Sequence, residues 1–474
     1  MILILLSSGL FLGWSLGAND AANIFGTAVS SKMVKFKMAA IIGSIFVMLG
    51  AVIEGSGASH TLGKLGSVNV LGGAFTVALA AAITVTFMTK LNLPVSTSQA
   101  IVGAIIGWNL FSQSITSIDS LKKIVLTWVL CPILSAIFSF SIYLTTRFIL
   151  RRIKIHLFTL DFLTRWGLII IGSFGAYSLG ANNIANVMGV FVPVSPFQDI
   201  NFYFFHITNV QILFFLGSLA ISVGIITYSQ RVMKTVGNDL MKLTPIASLI
   251  VVLAESLVLF IFASKGLKSW LTFHHLPSFP LVPVSSSQAV IGAVLGIALV
   301  QGGKNFKFSL LRKISLGWVF TPIIAAIITF VSLFIVQNVF MISVYQKNSF
   351  KFSKNVIQEI RNENIHIPNK IYGKEFQNET SLHKFITSNN IQNESRIEYL
   401  SKYEPIIMKK EYLKNSKVLN KFSSKIPDKG IYFAYRWQFL KFINKFSSDD
   451  VSSSIDELYG KLYYLKILPS EEVH

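Results

Sequence analysis

Long apolar stretches separated by short polar connections fill the first 343 residues of the chain. Each stretch is roughly 20 residues long, which is enough for a helix that crosses or enters a lipid bilayer. Ten such segments are predicted, at residues 2–29, 38–59, 70–89, 95–111, 123–149, 166–192, 207–229, 244–263, 283–301 and 314–343. The pattern therefore predicts an all-α integral membrane protein.

Three strings of the first half return in the second half. PVSTSQAIVGAIIGW at 94–108 returns as PVSSSQAVIGAVLGI at 283–297, and WVLCPILSAIFSF at 128–140 returns as WVFTPIIAAIITF at 318–330. GANDAAN at 17–23 likewise matches GANNIAN at 180–186. Since each half holds an odd number of segments, the copies have opposite orientations in the membrane. We therefore expect two inverted repeats with broken or re-entrant helices.

The chain divides into four parts on this pattern. The first transmembrane repeat covers residues 1–150, a basic cytoplasmic linker covers 151–165, the second transmembrane repeat covers 166–346, and a soluble C-terminal appendage covers 347–474. The appendage is rich in Lys, Asn and Ser, and it contains no stretch that could span a bilayer. The sequence gives no chemistry for it.

Composition and charge agree with a membrane location. The chain is 52% hydrophobic and 14% charged, with a mean hydropathy of +0.59 and a net charge of +20. Its basic residues lie in short connections and in the tail, so we expect no nucleic acid partner. Lys and Arg accumulate in the connections that are cytoplasmic if the N-terminus faces out. An even number of crossings then places both termini on the extracytoplasmic side of the cell (plasma) membrane.

The GANDAAN string brings polar side chains into an apolar segment, where they survive mainly when they face a binding site. Gly17 is expected to permit a break in the backbone, Asn19 and Asn23 offer amide oxygens on one face, and Asp20 adds a negative charge. Oxygen ligands of this kind suit Na⁺, and a carboxylate also accepts H⁺. The second repeat offers a matching set, Asn182, Asn183 and Asn186. A polar contact between helices is the alternative interpretation.

The two P-V-S strings predict helix starts that attract an anion. Proline favours the first turn of a helix, hydroxyl residues cap its free N–H groups, and the helix N-terminus carries a partial positive charge. Two converging starts could therefore hold a tetrahedral oxyanion. The candidate residues are Ser96, Thr97, Ser98, Gln99, Ser285, Ser286, Ser287 and Gln288. Ordinary capping of two buried helices is the simpler alternative.

Two further acids, Glu54 and Glu255, lie inside apolar segments. Each could relay a proton or cation as a coupling residue, whereas Glu54, near the end of its segment, could instead reach the membrane interface. The sequence has no nucleotide-binding loop, nucleophile elbow or paired catalytic carboxylates, so we expect neither an enzyme nor a cofactor. An ion gradient is then the expected energy source.

These motifs resemble the PiT inorganic phosphate transporter family. The resemblance rests on GANDAANIFGTAVSSK at 17–32, GANNIANVMGVFVP at 180–193, TVGNDLMKLTP at 235–245 and the two P-V-S strings, and it covers nearly all of residues 1–343. It implies symport of inorganic phosphate with Na⁺, or with H⁺, in which the GAND positions bind the cation and the P-V-S helix starts bind phosphate.

The chain departs from the family pattern in three places. Asn183 stands where the family usually has a second aspartate, and Val47 stands where many members have a glutamate. Glu54 lies seven residues after Val47 on the same helix face, so the sequence leaves open whether it compensates. Glu255 resembles the family's glutamate of the second half, but its spacing from Pro245 and the insertion LKSWLTFHHLPSFPL at 267–281 are unusual. In addition, the appendage has no counterpart in the resemblance.

The sequence thus predicts a secondary active transporter that imports inorganic phosphate by symport with Na⁺, with H⁺ as the other cation. One alternative is a permease for another oxyanion such as sulfate. Another is a membrane-anchored sensor that acts through its C-terminal tail. The sequence does not decide which cation drives transport, in what ratio, or whether the protein forms a homo-oligomer.

Overall fold

The structure is a computed structural model in which the chain forms two compact units. The first unit comprises residues 1–112 and 116–346, and the second comprises 113–115 and 347–474. The described residues are 2–66, 68–90, 95–153, 155–201, 206–230, 233, 243–302, 308–346, 349–363, 365–389, 391, 393–403, 406–408, 431–435, 437–438 and 441.

Helices dominate the first unit. They are α1 (Ile2–Ser30), α2 (Phe36–Glu54), α3 (Ser56–Leu65), α4 (Leu71–Lys90), α5 (Thr97–Ser112), α6 (Ile118–Arg152), α7 (Leu157–Met188), α8 (Asn209–Thr227), α9 (Pro245–Ala263), α10 (Lys265–Phe273), α11 (Ser286–Val300) and α12 (Phe308–Asn338). A 3-10 turn, Gly189–Val194, and a two-stranded hairpin of β1 (Ile200–Asn201) and β2 (His206–Ile207) follow α7.

Each of the ten predicted segments coincides with one of these helices, and the predicted fold class is confirmed. Among the described residues, seven helices are long and apolar enough to cross a membrane. The helices after the two P-V-S strings are shorter: α5 has 16 residues and α11 has 15. At about 1.5 Å per residue they fall short of a hydrocarbon core of about 30 Å, as expected for re-entrant helices.

Two short helices were not predicted from the apolar pattern. The α3 helix follows α2 directly, with only Gly55 between them, and α10 follows α9 with only Ser264 between them. Both are less apolar than the long helices and too short to cross a bilayer, so the search for long apolar runs missed them. The connection between α6 and α7 is also shorter than the predicted linker at 151–165, because α7 already begins at Leu157.

Short helices of one repeat pack on proline-containing helices of the other. A Cβ atom added at Gly103 of α5 would lie 2.1 Å from the carbonyl oxygen of Pro322 in α12. A Cβ added at Gly292 of α11 would lie 2.1 Å from the carbonyl oxygen of Pro132 in α6. Only glycine permits these two backbone approaches. The prolines of the repeated W-x-x-x-P strings therefore lie at the two close helix contacts.

The helices that carry the GAN motifs also pack on the opposite repeat. A Cβ at Gly17 of α1 would lie 2.0 Å from the carbonyl oxygen of Ile221 in α8. A Cβ at Gly180 of α7 would lie 2.1 Å from the carbonyl oxygen of Val47 in α2. The backbone break expected at Gly17 is not observed, because α1 is continuous from Ile2 to Ser30. Gly17 instead lets two helices approach each other closely.

The outer faces of α6 and α12 are apolar and exposed, as a lipid-facing surface requires. Both helices present the same residue types at the same helical spacing. The exposed residues are Val129, Ile133, Ile137 and Phe140 on α6, and Val319, Ile323, Ile327 and Phe330 on α12. The two repeats therefore offer equivalent surfaces to the bilayer.

The second unit has a small core of its own. Its described elements are α13 (Lys354–Asn362), α14 (Glu379–Ser388), α15 (Glu394–Ser401), a 3-10 turn (Asn369–Ile371) and the strands β3 (Phe350–Lys351), β4 (Glu375–Phe376), β5 (Ile406–Met408) and β6 (Ile431–Phe433). β3 pairs with β4, and β5 pairs with β6, both antiparallel. Phe350, Phe352 and Val356 are among its fully buried side chains.

Candidate functional site

The two P-V-S helix starts are capped in the same way. The backbone N–H of Gln99 donates to the Ser96 hydroxyl oxygen over 3.3 Å, and the backbone N–H of Gln288 donates to the Ser285 hydroxyl oxygen over 3.2 Å. One serine of each string therefore satisfies the ordinary capping requirement. The other hydroxyls, on Thr97, Ser98, Ser286 and Ser287, are buried but are not needed as caps.

Hydrogen bonds join these two helix starts directly. The Ser98 hydroxyl donates to the Val284 carbonyl oxygen over 3.0 Å, and the Ser287 hydroxyl donates to the Val95 carbonyl oxygen over 3.3 Å. The contacts are reciprocal, since each start uses the last hydroxyl of its serine string on the valine of the other. Two positive helix ends thus meet in the interior of the first unit.

Each GAN motif contacts the P-V-S start of the opposite repeat. The Ser286 hydroxyl donates to Asp20 Oδ2 over 2.7 Å, and Asn186 Nδ2 donates to the Ser98 oxygen over 2.8 Å. The structure therefore brings the four predicted motifs together at one place. Asp20 is 7% exposed and Asn186 is fully buried.

The amides of the second repeat form a closed cluster. Asn182 pairs with the backbone of Val284 twice, donating from Nδ2 over 2.7 Å and accepting at Oδ1 over 2.9 Å. Asn183 Oδ1 accepts N–H groups from Asn182 over 3.2 Å and from Asn186 over 2.9 Å. The oxygens of Asn182 and Asn183 are therefore already engaged within the protein.

The equivalent set in the first repeat is more open. Asn19 donates from Nδ2 to the Ser15 carbonyl oxygen over 2.9 Å, within its own helix. Asn19 and Asn23 are only partly buried, whereas Asn182, Asn183 and Asn186 are at most 1% exposed. The two GAN motifs thus match in sequence but differ in accessibility.

Several buried polar atoms around these motifs have no hydrogen-bond partner among the described residues. They are Gln99 Oε1, Gln288 Oε1, Asn183 Nδ2 and Asn186 Oδ1. Buried polar atoms are paired in the great majority of cases, so a group of unpaired atoms at one place calls for an explanation. A bound ion or substrate supplies one.

Glu255 lies in the middle of α9 and is fully buried. Neither of its carboxylate oxygens has a hydrogen-bond partner among the described residues. Its carboxylate is within electrostatic range of Asp20 and of Cys131. A second buried acid thus lies within electrostatic range of the Asp20 carboxylate.

Glu54 is engaged elsewhere. Its Oε2 accepts the Lys265 backbone N–H over 2.7 Å, and its Oε1 accepts the Ser264 hydroxyl over 3.0 Å. Both contacts are at the N-terminus of α10, where a negative charge stabilises the helix. Glu54 therefore caps a helix of the second repeat, a role that sequence reasoning did not anticipate.

Three more residues at the helix starts were missed by sequence reasoning. The backbones of Val95 and Val284 accept the cross-repeat hydrogen bonds described above. Cys131 is fully buried, and its thiol donates to the Ser285 carbonyl oxygen over 3.5 Å. The valines are part of the repeated P-V-S string, which was the available signal, whereas the sequence contains no signal for the thiol contact.

Residues 91–94 and 234–242, which include Pro94 and most of the TVGNDLMKLTP string, lie outside the described residues.

The fold and the paired motifs define a class: a multi-pass membrane protein of two repeats, with polar groups from both repeats meeting at the ends of two short helices. Comparisons with known proteins specify it further. The sequence matches the phosphate transporter family over residues 16–269 and 268–417. The chain belongs to the phosphate transporter family.

Individual relatives agree with this assignment. A candidate phosphate permease of Methanocaldococcus jannaschii is 28% identical over 321 residues, which cover 68% of this chain and 93% of the relative. One from Pyrococcus abyssi is 26% identical, covering 69% of this chain and 96% of the relative. A solved structure described as the sodium-dependent phosphate transporter has a similar fold, with a TM-score of 0.57 and 22% identity over 71% of this chain and 98% of that one.

Proposed function

We propose that the protein imports inorganic phosphate by symport with Na⁺, and that H⁺ is the alternative cation. The observation that carries this proposal is the hydrogen bond from Ser286 to Asp20, which joins the acid of one repeat to the hydroxyl-bearing helix start of the other. A cation at Asp20 would therefore lie next to an anion at the helix starts. Family membership and the names of the relatives support phosphate as that anion.

The cation is assigned to the first GAN motif. Asp20 supplies the negative charge, and the partly exposed side chains of Asn19 and Asn23 supply amide oxygens. Na⁺ prefers oxygen ligands, and a carboxylate with neutral oxygens around it holds a monovalent ion without excess charge. Of the second-repeat amides predicted as further cation ligands, Asn182 and Asn183 have oxygens that are already engaged, whereas the Asn186 oxygen has no partner among the described residues.

Phosphate is assigned to the two joined helix starts. Two helix N-termini contribute partial positive charge and N–H donors, and Thr97 contributes a hydroxyl that is not used as a cap. Ser286 belongs to the proposed set through its place between the helix start and Asp20, to which it donates its hydroxyl proton. Gln99 and Gln288 lie in the first turns of the same two helices, where their unpartnered side-chain oxygens can accept the O–H of a protonated phosphate. The remaining members of this proposed set are Ser96, Ser98, Ser285 and Ser287.

Coupling follows from the charges. An oxyanion in a low-dielectric interior is costly unless a cation offsets its charge, and the reverse holds for the cation. Each therefore favours binding of the other, and the doubly occupied state is stabilised by differential binding. Glu255, which is buried beside Asp20 without a hydrogen-bond partner, is the proposed coupling residue.

The proposed location is the cell (plasma) membrane, with both termini outside. It rests on the distribution of Lys and Arg among the connections between helices. A cysteine-labelling experiment from outside intact cells, with single cysteines placed in the 153–156 connection and in the tail, tests it. Labelling of the connection but not of the tail would reverse the orientation.

The proposed function is tested by phosphate uptake into proteoliposomes under an imposed gradient. An inward Na⁺ gradient should drive accumulation, and a pH gradient alone should do so only if H⁺ is the coupling ion. Excess sulfate or arsenate added outside then tests the choice of oxyanion. Uptake that ignores both gradients would exclude symport, and stronger competition by sulfate than by unlabelled phosphate would identify a different substrate.

A further inference from the structure

The hydrogen bonds around Asn183 fix which end of its amide faces the protein. Val284 presents both a backbone N–H and a carbonyl oxygen to Asn182, so the oxygen of Asn182 must face the N–H and its nitrogen the carbonyl. The orientation of the Asn182 amide is therefore determined by the backbone. Its nitrogen also faces Asn183.

The orientation of Asn186 is determined by Ser98. The Ser98 hydroxyl proton is used on the Val284 carbonyl oxygen, so the Ser98 oxygen can only accept from Asn186. The atom of Asn186 that faces Ser98 is therefore its nitrogen. This same nitrogen also contacts Asn183.

Asn183 thus receives two N–H groups at one atom, and that atom must be its oxygen. The amide nitrogen is left over. It is buried, Asn183 is 1% exposed, and the nitrogen has no acceptor among the described residues. A buried unpaired donor is costly, so this group requires an acceptor that arrives with the substrate.

The two repeats therefore present opposite chemistry at equivalent positions of their GAN motifs. Asp20, the fourth residue of the first motif, offers a carboxylate and accepts a hydroxyl proton from Ser286. Asn183, the fourth residue of the second motif, offers an N–H and has no free oxygen. A cation needs oxygen ligands, whereas an oxyanion needs donors.

We propose that Asn183 binds the transported oxyanion through its Nδ2 donor and is not a cation ligand. This inference rests on the proposed function, because it assigns one more contact to the same substrate. It makes the site asymmetric: Asp20 serves the cation from the first repeat, and Asn183 serves the anion from the second. The GAN motifs then hold one cation site, at Asp20. An aspartate in place of Asn183 would have created a second cation site.

The test is Asn183→Asp, which keeps the oxygen that accepts the two N–H groups and replaces the donor by a charged oxygen. Losing a hydrogen bond to a charged group should raise the phosphate Kd and KM about tenfold to hundredfold, with little change in the KM for Na⁺. If Asn183 were instead a cation ligand, Asn183→Asp should lower the KM for Na⁺ and leave the phosphate KM unchanged or lower. A lower KM for Na⁺ with an unchanged or lower phosphate KM would therefore overturn the proposal.

The pH dependence supplies a second readout on the same variant. Once protonated, the new carboxyl group has an O–H donor, so the loss of phosphate affinity relative to the wild type at the same pH should shrink as the pH falls. A loss that is equal at every pH would contradict a donor role. Both proteins are compared at each pH because phosphate itself changes charge.

Asn183→Ser serves as the conservative variant and covers the case in which the acidic variant does not fold. A serine hydroxyl keeps a donor and an acceptor without adding a charge, although its single oxygen does not reach as far as the two amide atoms. Asn183→Ser should therefore lose less phosphate affinity than Asn183→Asp. Where the acidic variant does not fold, Asn183→Ala, which has neither donor nor acceptor, takes its place in the comparison. A stable serine variant that loses as much phosphate affinity as the variant it is compared with would overturn the assignment.

Direct binding to the purified full-length protein separates this inference from the proposed function. Phosphate and sulfate are each titrated into the wild type and the two variants. If the wild type binds sulfate and not phosphate, the proposed substrate is wrong while the role of Asn183 is decided by the sulfate affinities. If the wild type binds neither oxyanion, both proposals fail.

Discussion

The Asp20 carboxylate accepts a hydrogen bond of 2.7 Å from the Ser286 hydroxyl, although 266 residues separate them in the chain. The contact links the acid of the first repeat to the helix start of the second. It places the negative group that a cation requires beside the donors that an oxyanion requires. The proposed coupling of a cation and an oxyanion rests on that contact.

The first prediction concerns the charge of Asp20. Asp20→Asn keeps the side-chain size but removes the negative charge, so cation-dependent phosphate uptake should be abolished or strongly reduced, while membrane insertion is unaffected. Uptake into proteoliposomes over a range of Na⁺ concentrations measures this. Asp161→Asn, at an exposed position of α7, makes the same chemical change and should have no effect. An Asp20→Asn variant with normal uptake and normal ion dependence would refute the cation role.

The second prediction concerns the close approach of α5 and α12. Gly103→Ala would place a methyl group 2.1 Å from the Pro322 carbonyl oxygen, so the helices must move apart. Overpacking of this kind costs about 1–3 kcal/mol, and the thermal midpoint should fall. Gly292→Ala should behave alike because its contact with Pro132 is equivalent.

Gly63→Ala is the control for both glycine variants, because a Cβ at this helical position meets no other atom within 4 Å. It should leave the thermal midpoint of the purified protein unchanged or raise it slightly. Equal midpoints for all three variants would show that the helices have room to spare and would contradict the packing argument.

The third prediction decides between the roles considered for Glu54. Glu54→Gln weakens the cap on α10, so stability should fall by about 0.5–2 kcal/mol, with the cation dependence of uptake preserved. Ser264→Ala removes part of the same cap and should have a similar effect. Loss of cation coupling in Glu54→Gln, without a change in stability, would instead identify Glu54 as a relay.

The fourth prediction concerns the second compact unit. Ending the chain after Gln346 removes residues 347–474, and a transporter should still accumulate phosphate in proteoliposomes because the four motifs all lie in the first unit. A membrane-anchored sensor would lose its output with the tail. Absence of accumulation by a stable, correctly inserted truncated chain would favour a required role of the tail.

The fifth prediction is a pH dependence within that second unit. Glu363 accepts two hydrogen bonds from the Arg396 guanidinium, one of them over 2.6 Å from Nε, and this pairing lowers the pKa of the Glu363 carboxyl group below its usual value. A lowered folded-state pKa stabilises the unit above the unfolded pKa of about 4.3, and this contribution is lost as the pH falls through the lowered value.

Arg396→Gln removes the pairing and measures its contribution. Amide exchange of α13 in the full-length protein should be faster than in the wild type at pH 7. The opening free energy should fall by no more than about 1 kcal/mol, since the side chains of Arg396 and Glu363 are 49% and 28% exposed. The difference should vanish in strong acid. Lys384→Gln, another exposed charge of this unit, should show no such pH-dependent difference.

The long apolar helices were predictable because about 20 consecutive apolar residues have few stable arrangements other than a membrane helix. The short helices α3 and α10 were not, since each mixes polar and apolar residues over about three turns and forms no long apolar run. The start of α10 also uses Glu54, a cap that comes from elsewhere in the chain. Periodicity along a sequence reports on one helix at a time. It carries no information about partners 210 residues away.

The residues of the candidate site were predictable from the sequence, but the contacts between them were not. The four motifs were identified because they recur, and the structure brings them together. Which motif contacts which could not be read from the repeat, because the same strings permit contacts within a repeat, such as Asn182 with Val284, as well as contacts between repeats, such as Asn186 with Ser98. The break expected at Gly17 was wrong for a related reason: glycine permits both a break and a close approach, and only the position of Ile221 shows which one applies.

Helices of each repeat pack on helices of the other repeat, and this packing has a consequence for the synthesis of the protein. When the first 150 residues have left the ribosome, α5 has no Pro322 to pack on, and α1 has no α8. Until those partners are synthesised, the N-terminal half remains in the membrane, or at the insertion machinery. The helix surfaces at Gly103 and Gly17 are uncovered at that stage, and Asp20 lacks its partner Ser286. Completion of the fold is delayed until the last long helix, α12, has been synthesised and inserted.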